Sequence, residues 1–319
     1  MNYNGMLIKM VTFAVLLSAS YIFSRRGILT ESFSKSAGWL ILNLFIPASI
    51  LNSVIGERPE LTGAELGNAL LTMTITLIVM YAVSTAAGML MARARRGKSD
   101  GGGVPDGDET VPQDIILMAV VNNLFVGLPV VQTLCSGEAP FYMGVSCVPY
   151  NIILYTYGAY LLNRGKGKSG FSLKSLLSVP LVSALLALVI FVFNIRVPGA
   201  VKDVIGTASS ATVAVTMLVT GANLGSMSLI SAFTDRHVLI ISAVRLLLTP
   251  VICWLAVKHL AWSRILLATC IVMAACPCGT VCTPLTIRYG YDVPRTSRTV
   301  MVTTALSIVT IPLIVFLFF

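Results

Sequence analysis

Apolar runs of about twenty residues follow one another along the whole chain. A helix needs a run of about this length to cross the hydrocarbon core of a bilayer. Of the 319 residues, 56% are hydrophobic and 11% are charged, which excludes an ordinary soluble domain. The runs predict an all-α membrane protein with ten spans, near residues 6–24, 37–55, 66–92, 114–134, 141–162, 176–194, 206–226, 237–257, 264–286 and 298–318.

The Lys and Arg residues are distributed unevenly between the two sides of these spans. Fifteen fall in the loops after odd-numbered spans and six fall on the other side. Because loops rich in Lys and Arg stay in the cytoplasm, both termini are expected outside. The net charge of +9 then reflects orientation in a lipid bilayer rather than a nucleic-acid partner. We expect a multi-pass protein of the cytoplasmic (inner) membrane.

The ninth span is interrupted near its middle. Pro277 stands inside the apolar stretch Ile265–Asp292, and Gly279 follows two residues later. A proline within a helix removes one backbone hydrogen bond and clashes with the preceding turn. In hydrocarbon, a freed backbone group is tolerated only where protein or a polar cavity surrounds it. This stretch is therefore predicted to be a discontinuous helix at a binding site.

The fourth span is interrupted in a similar way. Asn122 and Asn123 stand in its middle, with Gly127 and Pro129 shortly after them. The two interrupted spans occupy matching places in the two halves of the chain. Such pairs of broken segments are the best sequence pointer to the site of a secondary transporter.

Five spans precede the basic linker and five follow it, so the two halves enter the membrane from opposite sides. We therefore predict an inverted repeat, with a first five-helix repeat over residues 1–163, a cytoplasmic linker over 164–175 and a second repeat over 176–319. The glycine-rich loop 97–113 is interpreted as a flexible connection, and its acidic Asp-Gly-Asp-Glu run as a solvated stretch rather than a cation site.

The predicted site combines amides and the exposed starts of half-helices. A helix N-terminus carries free N–H groups and a partial positive charge, which suits a carboxylate. The alternatives are interhelical hydrogen bonds made by the asparagines and a proline kink sealed by threonine hydroxyls. The candidate substrate-binding residues are Asn122, Asn123, Gly127, Pro277, Cys278, Gly279 and Thr280.

The cysteines around the ninth-span break support a different hypothesis. Cys276, Cys278 and Cys282 could form a thiolate site for Cu(I) or Zn(II) in a metal-ion permease or membrane sensor. The simpler interpretation is that they are small, polarizable packing residues. We expect no metal and no cofactor.

Arg245 is the one basic residue deep within a predicted span. An ionisable residue in the membrane is a functional candidate by default. Arg245 could reach the cytoplasmic face, pair with Asp235 or Asp292, or meet an anionic substrate. No Asp or Glu is expected near the bilayer centre, so coupling to sodium or protons stays open. The chain has no paired-His metal motif, no GxSxG and no P-loop, and we do not expect an enzyme.

The two interrupted spans resemble those of a known protein family. The sequence resembles the auxin efflux carrier family in the spacing of Asn122, Gly127 and Pro129 in span four. From the ninth span onward it is similar to that family at Pro277, at the Tyr-Gly-Tyr-Asp run 289–292, and at the Thr-Ile-Pro run 310–312. Pro47, Gly221, Arg245 and Pro250 also fit. The plant exporters have a proline where this chain has Val121, and their long central loop is replaced here by twelve residues.

The resemblance implies a ten-span fold of two inverted five-helix repeats, like that of the bile-acid symporters, with helices 4 and 9 broken and crossing. Scaffold and transport subdomains would each draw helices from both halves. The implied substrate is a small organic anion at the crossover, moved by alternating access, and a homodimer is a possible assembly. We therefore expect a secondary carrier of a small carboxylate.

Overall fold

A computed structural model describes residues 3–55, 59–96, 110–135, 137–166, 179–225 and 233–319. Within these ranges the regular structure is helical, and the only β-type pairing is one isolated bridge. The acidic run of the loop 97–113 and most of the predicted linker 164–175 lie outside the described residues.

Thirteen helices fill the described ranges. They are α1 (Tyr3–Arg25), α2 (Glu31–Ile55), α3 (Gly63–Arg96), α4 (Thr110–Ala119), α5 (Asn123–Leu134), α6 (Ala139–Val145), α7 (residues 147–165), α8 (Val179–Val192), α9 (Gly199–Gly225), α10 (Arg236–Val257), α11 (Arg264–Ala275), α12 (Cys282–Tyr289) and α13 (Val293–Phe318).

Five of these helices are long and apolar enough to cross a membrane, namely α2, α3, α9, α10 and α13. They coincide with the second, third, seventh, eighth and tenth predicted spans. Apolar segments of 10–17 residues lie in α1, α5, α8 and α11. The first predicted span corresponds to α1, which has 23 residues, and the remaining predicted spans correspond to shorter or divided helices.

Both predicted interruptions are present. The fourth span is divided between α4, which ends at Ala119, and α5, which begins at Asn123. The ninth is divided between α11, which ends at Ala275, and α12, which begins at Cys282. The helical hydrogen-bond ladder is interrupted in both segments, so several of their backbone groups need other partners.

Four helices contain a π-helical turn, and three of these turns come just before a proline. The turns Ile41–Phe45 and Val244–Leu248 precede Pro47 and Pro250, and the turn that begins α5 precedes Pro129. Proline has no N–H, so the helix lacks one backbone hydrogen bond at that position. The wider π turn changes the pattern of backbone hydrogen bonds there.

Small residues let α1 and α9 approach closely. The Ser20 hydroxyl donates to the Leu218 carbonyl, and the Ser24 hydroxyl donates to the Ala222 carbonyl at 2.8 Å. A Cβ atom added at Gly221 would lie 2.3 Å from the Leu17 carbonyl oxygen. Glycine is therefore required at 221 for this backbone contact.

A buried carboxylate joins the start of α4 to three other helices. The Asp114 side chain is 1% exposed and accepts from Arg95 of α3 at 2.6 Å and from Arg295 of α13 at 2.5 Å. His237, at the start of α10, contacts the same carboxylate at 3.0 Å. Two guanidinium groups and the histidine ring thus stabilise the charge of Asp114 in its buried position.

Gly221→Ala should lower the melting temperature of the purified protein in detergent, because overpacking typically destabilises by about 1–3 kcal/mol. Gly206→Ala in the same helix is the matched control, since its nearest neighbour would be 3.7 Å away. Alanine is also the better helix former, so Gly206→Ala should leave the melting temperature unchanged or raised. Equal stability of the two variants would contradict the close α1–α9 contact.

Candidate functional site

The two unwound segments pair with each other through their backbones. Val121 and Cys278 form an antiparallel bridge. The Asn122 N–H donates to the Pro277 carbonyl, and the Gly279 N–H donates to the Val120 carbonyl, both at 2.9 Å. Each broken helix therefore supplies the hydrogen-bond partners that the other lost. We call this pairing of 120–122 with 277–279 the crossover.

Neighbouring helices complete the crossover. The Tyr150 hydroxyl of α7 donates to the Val121 carbonyl at 3.2 Å. The Cys278 N–H donates to the hydroxyl of Thr303 in α13 at 3.2 Å. These bonds provide partners for backbone groups of Val121 and Cys278, which are almost fully buried, as an apolar interior requires.

Two glycines are required by close approach at this point. A Cβ atom at Gly279 would lie 2.9 Å from the Val121 carbonyl oxygen. One at Gly127 would lie 2.9 Å from the Cys276 sulfur and 3.2 Å from the Met143 methyl. The first contact is with fixed backbone, whereas the second is with side chains that can move.

A cavity of about 710 Å³ lies against the crossover. Ligand sites for small molecules commonly have this size. Its lining comes from α2, the crossover, the first turns of α5 and α12, and parts of α7, α8 and α9. The lining residues are Ser34, Lys35, Gly38, Trp39, Leu42, Asn43, Val121, Asn122, Asn123, Leu124, Phe125, Tyr150, Asn151, Leu154, Tyr155, Val179, Pro180, Val219, Thr220, Asn223, Gly279, Thr280, Val281 and Pro284.

Both second half-helices begin at this cavity. Asn123, Leu124 and Phe125 open α5, and Thr280 and Val281 come just before α12. Neither helix start has a side-chain cap. In α12 the Cys282 and Thr283 N–H groups donate to the Gly279 and Thr280 carbonyls, whereas the first N–H groups of α5 have no intrahelical acceptor. Two partly positive helix ends therefore face one space, which favours a negatively charged ligand.

The two predicted asparagines differ in their hydrogen bonds. Asn123 donates to the Ser146 hydroxyl at 3.3 Å. Asn122 is 4% exposed, and its Nδ2 atom has no partner among the described residues. An unsatisfied buried donor costs about 1–3 kcal/mol. The Asn122 amide can therefore gain a hydrogen bond from an acceptor that enters the cavity.

The predicted site residues divide into two groups. Asn122, Asn123, Gly279 and Thr280 line the cavity. The remaining three shape the crossover without lining this cavity, and they are Gly127, Pro277 and Cys278.

A second cavity of about 290 Å³ adjoins the first and shares Thr220, Asn223 and Thr280 with it. Its lining includes Thr283 and Thr304. Hydroxyl groups therefore continue the polar surface beyond Thr280, between α9, α12 and α13. Thr280 and Thr283, which follow the break in span nine, both line this second cavity.

The three cysteines do not converge on one point. The sulfurs of Cys278 and Cys282 are 3.6 Å apart, whereas the Cys276 sulfur lies against Gly127 and Met143. Within the ranges that the structure describes, no group of three His, Cys, Asp or Glu side chains could hold a metal ion. This arrangement does not favour the thiolate hypothesis.

The structure places Arg245 differently from two of the three positions predicted for it. It is fully buried in the π turn of α10, so it does not reach the cytoplasmic face. Its Nε, Nη1 and Nη2 atoms have no hydrogen-bond partner in the described part of the chain, so it does not pair with Asp235 or Asp292. Asp235 instead pairs with Arg298 at 3.2 Å, and Asp292 accepts from the Arg295 N–H at 3.0 Å. Arg245 also does not line the cavity.

Several polar residues of the cavity were missed by sequence reasoning. They are Tyr150, Asn151, Thr220 and Asn223. Asn151 lies in the middle of an apolar run. That position alone could have marked it, because polar side chains within spans face the protein interior or a cavity.

Comparison with known proteins agrees with this architecture. A family model described as "Membrane transport protein", which represents the auxin efflux carriers, matches residues 6–315. An uncharacterized transporter of Methanothermobacter thermautotrophicus is 24% identical over 318 residues, covering 98% of both chains. The chain therefore belongs to the auxin efflux carrier family and is a membrane transport protein.

Proposed function

We propose that the chain is a secondary carrier that moves a small carboxylate across the cytoplasmic membrane by alternating access. The observation that carries this proposal is the unpaired Asn122 amide at the cavity where two half-helices begin. A carboxylate would accept from that amide and from the first N–H groups of α5, and the positive end of the α12 dipole would also favour it.

The charges around the cavity support an anion. The described lining contains no Asp or Glu, and its one charged residue is Lys35. A bound carboxylate would therefore meet no like charge on the lining, and the partial charges of both helix ends would stabilise it.

The position of Lys35 supports an orientation of the cavity relative to the membrane. Its side chain is 77% exposed and pairs with Glu31 at 2.8 Å, so it marks the open end of the cavity. Lys35 belongs to a loop region that the positive-inside rule assigns to the cytoplasm. In this proposal the cavity is open inward, and the two termini face outward.

Transport would alternate the access of this site between the two sides of the membrane. We propose that the ten predicted spans form two inverted repeats, residues 1–163 and 176–319, in which the broken helices move relative to a scaffold. Because the crossover is joined through backbone hydrogen bonds, α4, α5, α11 and α12 would move as one body.

Asn122→Ala should weaken carboxylate binding by about 10- to 100-fold and abolish transport, since a hydrogen bond to a charged group contributes ~1.5–3 kcal/mol. Binding is measured as the rise in melting temperature with malate, malonate or benzoate, and transport as uptake of the bound acid into proteoliposomes. Asn163→Ala, outside the cavity, is the control for loss of an asparagine. Wild-type transport by Asn122→Ala would refute the site.

Gly279→Ala should abolish transport, because its Cβ atom would push against the Val121 carbonyl and open the crossover. Gly127→Ala meets only the movable Cys276 sulfur and Met143, so its defect should be smaller. The double variant Gly127→Ala, Cys276→Ala lacks the contacted sulfur. It should therefore transport faster than Gly127→Ala. Normal uptake by Gly279→Ala would show that the crossover does not need this close approach.

A further inference from the structure

Arg245 is a fixed positive charge in the interior of the protein. It is 0% exposed, and none of its three side-chain nitrogens finds a partner in the described ranges. Arginine stays protonated in proteins. An unpaired buried charge is destabilising, so a charge of this kind in a membrane protein marks a functional role.

The π turn that holds Arg245 packs against α4 and α11, the two helices that end at the crossover. Its electrostatic neighbours among the described residues include Cys276, Cys278 and Tyr150. Cys276 and Cys278 flank Pro277, and Tyr150 donates to the Val121 carbonyl. The guanidinium therefore lies near the crossover, whose backbone also borders the cavity.

The nearest acidic side chains at the predicted cytoplasmic end already have partners. Asp114 is held by Arg95 and Arg295, and Asp235 pairs with Arg298. None of them neutralises Arg245.

The crossover also offers little to a cation. Carriers with broken helices bind sodium through unwound backbone carbonyls. Here the Pro277 and Val120 carbonyls accept from the opposite segment, and the Val121 carbonyl accepts from Tyr150. A cation at this point would have to share carbonyls that already accept a hydrogen bond, and it would be repelled by the positive charge of Arg245.

We propose that Arg245 supplies the positive charge that balances the transported anion, acting across the crossover without touching it, so that no sodium ion is bound with the substrate. This inference rests on the proposed carboxylate site. Arg245 is a positioning residue in this account, because it favours any ligand with a net negative charge at the cavity. At an effective dielectric constant of about 20, two unit charges within roughly 12 Å of each other attract enough to change an affinity about tenfold or more.

The test compares charged and neutral ligands on the full-length protein. Binding of benzoate and of benzamide is measured by thermal shift for wild type, Arg245→Met and Arg245→Lys. The ratio of benzoate to benzamide affinity should fall about tenfold in Arg245→Met and stay near wild type in Arg245→Lys. Arg236→Met, which removes an exposed charge from the same helix, is the control and should not change the ratio.

The ratio of benzoate to benzamide affinity distinguishes this electrostatic role from a purely structural one. A defect in folding alone would lower the affinity for both ligands and leave their ratio unchanged. An unchanged ratio in Arg245→Met, with benzoate still bound, would overturn the inference and leave the proposed function standing. Failure of wild type to bind benzoate, malonate and malate would instead overturn the proposed function, and this inference with it.

Replacing sodium by N-methylglucamine gives a second measurement that needs no variant. Wild-type affinity for the carboxylate should be the same with and without sodium. A requirement for sodium would overturn the inference even if Arg245→Met does not fold, because the charge would then come from a bound ion.

Discussion

The backbone hydrogen bonds between residues 120–122 and 277–279 are the constraint on which the rest of the structure depends. Two helices lose their internal hydrogen bonds in a part of the protein where no water can replace them. Each segment satisfies the other through the Asn122–Pro277 and Gly279–Val120 bonds, and Tyr150 and Thr303 supply the remaining contacts. Without this pairing, either interruption would leave buried N–H and carbonyl groups unsatisfied, at a cost of about 1–3 kcal/mol each.

The pairing also determines where charge can act. Because both helices restart just after the crossover, their N-terminal ends and the Asn122 amide lie at one cavity of about 710 Å³. Arg245 lies beside the same segments without lining that cavity. Partial charges at the cavity wall and a full charge behind it both favour a negatively charged ligand. In the proposed carrier, the backbone and Asn122 would provide the contacts and the buried Arg245 the net charge.

The two helix breaks could be predicted from the sequence, whereas their pairing and the surroundings of Arg245 could not. Pro277 and the Asn122–Asn123 pair disrupt apolar runs, so the two breaks are local properties of the sequence. The pairing of those breaks brings together residues about 155 positions apart, and no local pattern encodes it. The sequence also did not reveal that Arg245 lacks a partner, because the pairing of Asp235 with Arg298 is a tertiary contact. Asn223 and Thr220 reach the cavity only because α9 packs beside the crossover.

Cross-linking tests the pairing most directly. Val121 and Cys278 form a bridge flanked by two hydrogen bonds, a geometry in which Cα atoms are about 4.5 Å apart, within the range for a disulfide. With the other six cysteines changed to alanine, Val121→Cys should form a disulfide with Cys278 on mild oxidation in membranes, detected by mass spectrometry of the joined peptides. Val120→Cys points to the opposite face and should not. Absence of the 121–278 cross-link in folded protein, or equal cross-linking from position 120, would contradict the crossover and the site built on it.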